Sequence, residues 1–400
     1  MGLTLHTVDT VRALDRAGMD ELTAGKSIFA RYPHVAATEA DSGLLPNLLV
    51  VRGAGGRLLG VLPTYLSCGE GSWEWDHFVR YIAYDGAEDP EDWYPLLLGC
   101  PSPGYVNSLI IHPDLTGAER TSVVAALFGG FRELAGHLGA RSASLMYLDE
   151  ASVSDLAPFL GEGDAVLWSG ADAEIGVRWP SFQDYLSWLP RKRRKEVRRE
   201  IRKFEATGFE TSAESLAECY GEVAPLAGNL KRRHGSELDD DHWIRFFERY
   251  AAQLGDISTA YVCRDGAQAV AFSLHSEWED TVYVRACGFD YHRAGNNAEY
   301  FNLCYYRPLQ YAIDNGSSVL HLGMDAYEAK VSRGATLAAL WSVVLGPADG
   351  PPGWKRPLAD YSRIRLDRYE ANFGPRAVTD LWAGGEKPGA WESFVAVRPD

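Results

Sequence analysis

The chain has 400 residues, 46% of them apolar, with 12 Trp, 20 Tyr and a formal net charge of −16. This composition excludes a disordered or fibrous chain and leaves two globular domains or one large one. No apolar run reaches 18 residues, so no transmembrane helix is expected, and the acidic excess disfavours nucleic acid except where cations are gathered locally.

Residues 1–9 carry neither a basic segment nor a long apolar one, so no signal peptide is expected. Cys68, Cys100, Cys219, Cys263, Cys287 and Cys304 lack CxxC spacing, which predicts reduced thiols in a cytoplasm and neither a disulfide framework nor a zinc site.

In chain order, residues 48–66 read strand, glycine turn, strand, with Gly53-Ala-Gly-Gly between two apolar runs. Residues 105–148 read strand (105–112), helix (118–138) and strand (143–148), with Gly139 as a helix C-cap. Residues 191–203 follow Leu189-Pro190, and proline suits a first helical turn. Val197, Ile201 and Phe204 recur at i, i+4 and i+7, so 190–204 is predicted as a helix with one narrow apolar stripe. Its nine cations and two anions leave the rest of the chain at −23.

Arg194, Arg198 and Arg202 form a row expected to face solvent, flanked by Lys195 and Arg199, with Arg191 and Lys192 at the start. Glu196 and Glu200 are placed to pair with Arg199 and Lys203 at i, i+3. Such pairs contribute about 0.2–0.5 kcal/mol each and do not neutralise the segment. The helix reads as a site for a polyanion (RNA, a nucleotide phosphate or coenzyme A), against the plainer reading of a solvated charged helix.

Residues 259–277 repeat the hairpin plan with Asp265-Gly266 as the turn. Residues 282–325 repeat the next units: strand 282–289, helix 297–315, strand 319–323, with Gly316 as C-cap. Each half therefore reads hairpin, third strand, helix, fourth strand, which predicts an α/β fold of mixed sheets with a crossover helix in each half. Residues 346–358 read as a Gly/Pro-rich loop. The last 40 residues, with Tyr369, Phe373, Trp382 and Trp391, read as an ordered appendage.

No Walker loop, dinucleotide fingerprint, GxSxG elbow or HExxH occurs, and the ten histidines lack metal-ligand spacing. No metal and no resident cofactor is expected, and His275, His292 and His321 read as structural. Two stretches carry candidate chemistry. Between a strand and a helix, residues 291–300 offer Arg293 and the caps Asn296 or Asn297, an anion cradle or an ordinary turn. After the last strand of the repeat, residues 322–334 place Asp325, Lys330 and Arg333 where α/β sheets bind ligands.

The Gly-Met-Asp…Lys-Val-Ser-Arg-Gly stretch, preceded by Asn302-Leu-Cys-Tyr-Tyr, resembles the second half of the FemAB-like branch of the GNAT N-acyltransferase superfamily, in particular its peptidoglycan-biosynthesis-type acetyltransferase group. Tyr185-Leu-Ser…Arg191-Lys-Arg-Arg-Lys-Glu-Val-Arg-Arg-Glu resembles that group's basic motif. The resemblance covers about 180–345, and the first half fits through the internal repeat. It implies tandem duplicated GNAT-like domains, at 1–175 and 176–345, with 346–400 packed on them. The chain departs from the group at Asn302, where Glu is usual, and at Tyr327-Glu-Ala-Lys330, where Gly-Glu-His-Lys is usual.

The resemblance further implies amide formation. That chemistry needs a neutral amine, a close acyl carbon and a stabilised oxyanion. By analogy Lys330 would stabilise developing negative charge or a substrate phosphate, and Asp325 would take the amine proton or hold the ammonium. Glu299 and Tyr306 are further acid–base candidates. The donor is an aminoacyl-tRNA or an acyl-CoA, and nine cations favour tRNA, since an RNA backbone rewards many contacts. The acceptor would be an amine of a peptide or small molecule. A non-catalytic RNA-binding protein is the competing class.

Overall fold

The computed structural model describes residues 2–41, 44–68, 93–100, 106–233, 238–294, 298–346 and 355–373. They form two compact units, the first of residues up to 172 with those from 337 on, the second of residues 173–336.

The first unit begins with β1 (Thr4–Val8), α1 (Arg16–Leu22), α2 (Tyr32–Asp41), β2 (Leu45–Arg52) and β3 (Leu58–Ser67). There follow β4 (Leu96–Gly99), β5 (Ile110–Ile111), α3 (Gly117–His137), β6 (Ser142–Leu148), α4 (Glu150–Leu156) and β7 (Asp164–Gly176), which runs on past the unit's boundary. β2, β3 and β4 are successively antiparallel, and β4 pairs with β6 in parallel. The apolar runs of β2 and β3 place Leu48, Val50 and Val61 against Met19, Leu22 and Val35 of α1 and α2.

The second unit continues with α5 (Phe182–Trp188), α6 (Arg191–Glu205), β8 (Glu210–Ser215), α7 (Leu216–Arg233), α8 (Asp240–Leu254), β9 (Ser258–Asp265), β10 (Gln268–Trp278) and β11 (Thr281–Phe289). Then come α9 (Glu299–Phe301), a π-helical turn at Asn302–Tyr306, α10 (Arg307–Asp314), β12 (Val319–Gly323) and α11 (Tyr327–Val331). β9, β10 and β11 are antiparallel, and β11 pairs with β12 in parallel. This repeats the pairing of the first unit, so the fold is the expected mixed α/β duplication. Gly139 (φ 65°) and Gly316 (φ 73°) end the crossover helices in the left-handed backbone expected of them. The chain then enters β13 (Thr336–Leu345), antiparallel to β6 of the first unit, and α12 (Lys355–Phe373).

Three expectations change. The third strand of the first half is not 105–112 but β4, whose Leu96-Leu97-Leu98 is buried throughout. A short apolar run gives no period by which to recognise it. Of 105–112, Tyr105 lies outside the described residues and β5 is two residues long. The intervening chain is diverted onto the end of β6, where Asn107 N donates to Tyr147 O at 2.9 Å and Asp149 N to Asn107 O at 2.8 Å.

The helix expected over 297–315 is interrupted by the π turn. Pro308 has no N–H for the carbonyl four residues back and would clash with it, so the turn before it widens. The loop expected over 346–358 gives way to α12 from Lys355. Within the first unit α12 packs on Trp168, whose backbone N–H donates to Ser362 Oγ at 2.7 Å and whose ring lies 5.2 Å from Tyr369. Trp382 and Trp391 lie outside the described residues. No described helix is long and apolar enough to cross a membrane.

Candidate functional site

β11 and β12 pair over three residues, Thr281–Tyr283 against Val319–His321. β11 continues to Phe289, whereas β12 stops at Gly323. Val284, Arg285, Ala286 and Cys287 are all half-buried, with Arg285 at a bulge against β10. A parallel strand covered on both sides would bury them. The strands therefore part here, and the crevice lies at the carboxyl end of β12, where sheets of this class hold ligands.

The chain leaves β12 through left-handed backbone at Gly323 (φ 68°), Asp325 (φ 63°) and Ala326 (φ 47°). Only glycine adopts this region at no steric cost, so Asp325 and Ala326 are strained. Lys330, at 4% exposure, reaches back from α11 beneath the turn. Its Nζ donates to Gly323 O at 2.8 Å and Met324 O at 2.5 Å. Positive charge is thus fixed under the turn by two backbone carbonyls. Asp325 stands above it, exposed, and its carboxylate has no partner among the described residues.

Arg333 ends this segment and is almost fully buried. Its Nη2 donates to Glu200 at 2.9 Å and its Nε to Tyr306 Oη at 2.9 Å, while the Tyr306 hydroxyl itself donates to Glu200. The guanidinium also lies 3.8 Å from the Phe301 ring centroid, and Tyr185 of α5 donates to Arg333 O at 3.0 Å. Burial pushes the Tyr306 phenol well above its ordinary pKa, which keeps it a donor. This network ties α6, the π turn and the β12 turn together.

Sequence reasoning missed Glu200, although the signal was present. Val197, Glu200, Ile201 and Phe204 sit at i, i+3, i+4 and i+7, so a carboxylate occupies the apolar stripe and requires a buried partner. Hence Glu200 reaches Arg333, 133 positions away, a partner the i, i+3 spacing does not supply. Glu196 likewise turns back to Arg193 at 2.9 Å and not forward to Arg199.

Around the π turn, His275 of β10 approaches Leu303 O at 3.3 Å and Ser273 Oγ at 2.8 Å through Nε2. Burial lowers its pKa to about 3, so the ring is neutral and Nε2 carries the hydrogen that a carbonyl partner demands. The histidine is structural, as read from sequence. A hydrogen bond with Cys287, together with burial, holds the Cys304 thiol well above its ordinary pKa. Glu299 is buried at the first position of α9.

On α6, Arg191, Lys192, Lys195, Arg198, Arg199, Arg202 and Lys203 are exposed. Arg194, expected in the solvent row, is half-buried and donates to Ser187 O at 2.6 Å and Leu189 O at 3.0 Å. It serves as a C-cap for α5, as cations do at helix ends. Arg293 pairs with Asp265 across exposed loops at 3.3 Å. Asn296 and Asn297 lie outside the described residues. The structure thus gathers Asp325, Lys330, Arg333 and Tyr306 into one neighbourhood with the inner face of α6.

The fold has been seen before. A protein of unknown function from Bacteroides thetaiotaomicron matches with a TM-score of 0.53 at 12% identity, over 85% of this chain and 99% of that one. FemX matches at 0.52 and 10% identity, over 84% and 96%. The C-terminal domain of a putative lysylphosphatidylglycerol synthetase from Agrobacterium fabrum matches at 0.51 and 11%, over 88% and 97%. No curated protein matches the chain. A family model described as FemAB-like, peptidoglycan biosynthesis/recognition, spans residues 10–350. That span reaches into both units and includes every residue of the crevice, and the chain belongs to the FemAB-like family.

Proposed function

We propose that this FemAB-like chain is a transferase that moves an aminoacyl group from an aminoacyl-tRNA to an amine of a peptide or small-molecule acceptor. The observation that carries this reading is the two-sided construction of α6. One side exposes seven cations, and the other is bonded through Glu200 to Arg333 at the β12 turn. A row of cations suits a phosphate backbone, because each neutralised phosphate releases counterions. The name of one structural relative, lysylphosphatidylglycerol synthetase, describes the joining of a lysyl group to an acceptor.

In the reaction the ester C–O bond of the donor breaks and an amide C–N bond forms. The attacking amine gives up a proton, for which Asp325 is the exposed acceptor, and the released ribose hydroxyl takes one up. Lys330 holds the turn and sets a positive charge beneath the developing oxyanion. Both hydrogens that Lys330 donates to Gly323 and Met324 make it a positioning group as well.

Exchanging Arg198, Arg199 and Arg202 for Glu tests the reading, since none of the three has a structural bond like that of Arg194 among the described residues. Binding of tRNA should weaken strongly, and its slope against log salt should fall by roughly 3. Unchanged tRNA binding sinks the reading, and catalysed acyl transfer from acyl-CoA alone replaces it with the coenzyme A alternative.

A further inference from the structure

Trp188 is the one exposed Trp or Phe among the described residues, at 45% exposure. It ends α5, three residues before the basic helix begins at Arg191. Its ring is not loose. It lies 5.1 Å from Trp179, which is buried and packs edge-on against Tyr185 at 5.0 Å. It also lies on Gly334, where a Cβ would come within 2.8 Å of ring carbon Cζ3. Gly334 has φ 101°, so this position admits glycine and the ring sits where any side chain would otherwise be. Finally, the exposed Arg178 guanidinium lies 4.8 Å from the Trp188 ring centroid.

An exposed aromatic held rigid from below, with a guanidinium plane on it, is a stacking surface. Flat bases stack on aromatic rings and on arginine planes alike. Two connections fix its context. The carbonyls flanking Trp188, those of Ser187 and Leu189, are held by Arg194 of α6. On the other side Gly334 directly follows Arg333, the anchor of the turn that carries Asp325 and Lys330. The surface therefore lies between the cations that suit phosphates and the turn that suits the acyl group.

We infer that the Arg178–Trp188 stack binds an unpaired nucleobase near the 3′ end of the RNA donor. The inference rests on the tRNA reading above. A base must be unpaired to stack on a side chain, and the aminoacyl ester sits on the terminal nucleotide, so the 3′ single strand is the part of the donor that reaches both places.

The test uses the full chain and three RNA stem-loops: one blunt, one with four unpaired 3′ nucleotides, and one with the same overhang lacking its bases. The wild type should bind the base-bearing overhang about tenfold more tightly than the other two, a gain of the size base–aromatic stacking provides. Trp188→Ala should erase that gain and leave the blunt stem-loop's Kd unchanged, which also shows that the variant is folded. Trp188→Phe should keep most of the gain, and Arg178→Ala part of it. Blunt RNA that binds, with no gain from the bases in the wild type or with the full gain in Trp188→Ala, overturns this inference alone. Absence of binding to all three RNAs overturns the RNA reading and this inference together.

Discussion

The fourth strand of each half ends differently, although the two halves share a topology. β6 leaves through Tyr147 at φ 53°, and Asp149 follows two residues later; β12 leaves through Gly323 at φ 68°, and Asp325 follows two residues later. In the first unit that aspartate is consumed by structure. Asp149 caps α4 through Ser152 N at 2.8 Å and accepts from Ser108. Asn107 fills the space beside the strand end, donating to Met146 O at 2.9 Å. In the second unit the matching aspartate is exposed, strained and unbonded among the described residues, and the parallel strands beside it part after three pairs. One copy has closed its strand end with hydrogen bonds and the other has kept it open, which supports placing the proposed chemistry in the second unit.

The largest test of this contrast removes the anchor of the open turn. Arg333→Ala takes from Glu200, at 14% side-chain exposure, the guanidinium it is paired with, and takes a donor from Tyr306. Breaking a buried pair on one side costs about 3–5 kcal/mol. Asp149→Ala in the closed copy loses a helix cap, worth about 1 kcal/mol. Urea unfolding of the two variants should show this difference; equal losses would mean that the two strand ends are held equally.

Next in size is Lys330→Met. Turnover should fall roughly 10²–10³-fold if the ammonium stabilises the oxyanion. Donor affinity should change far less, because the interaction grows in the transition state. Near-normal turnover in a folded Lys330→Met protein moves the chemistry to Glu299 or Tyr306.

How much of this contrast was legible beforehand follows from the kind of signal each part leaves. The hairpins at 48–66 and 259–277 were visible because apolar runs about a glycine turn are local, and α6 because its stripe and its charge are local. β4 was hidden because Leu96-Leu97-Leu98 has no period, and the π turn because its cause, Pro308, acts on a carbonyl a turn away. Among site residues, Asp325, Lys330, Arg333 and Tyr306 were named from sequence. What their side chains meet was not legible, since Arg333 finds Glu200 across 133 positions. Arg194 was misread for a similar reason: the carbonyls it caps belong to the preceding helix.

A second contrast between the halves is titratable. His275 has its pKa lowered by burial to about 3 from an ordinary 6.5. Counted from the start of each hairpin, at 48 and 259, the matching position in the first unit is Thr64, which does not titrate. Between pH 6.5 and 3 the unfolded chain binds a proton at His275 that the folded chain refuses. Stability is therefore full above pH 6.5 and falls as pH drops below it, by up to about 1.4 kcal/mol per unit. From pH 7 to 5 the loss should reach about 2 kcal/mol by urea unfolding, and His275→Gln should remove that part of the slope. An unchanged slope would show that the ring is protonated in the folded chain.

The smallest effect on stability concerns the strained aspartate itself. At φ 63° its Cβ crowds the backbone, and glycine at that position does not. Asp325 lacks the bonds that hold Asp149, so nothing among the described residues offsets the strain. Asp325→Gly should therefore raise stability by roughly 0.5–1 kcal/mol, while turnover should fall, since the carboxylate proposed to accept the amine proton is gone. Asp325→Asn separates the two effects: asparagine tolerates the left-handed region as well as aspartate does, so stability should stay within about 0.5 kcal/mol and turnover should still fall. A loss of stability in Asp325→Gly would mean that the carboxylate is a cap like that of Asp149. The second crevice would then be closed in the same way as the first, and the asymmetry between the two strand ends would not identify the reaction centre.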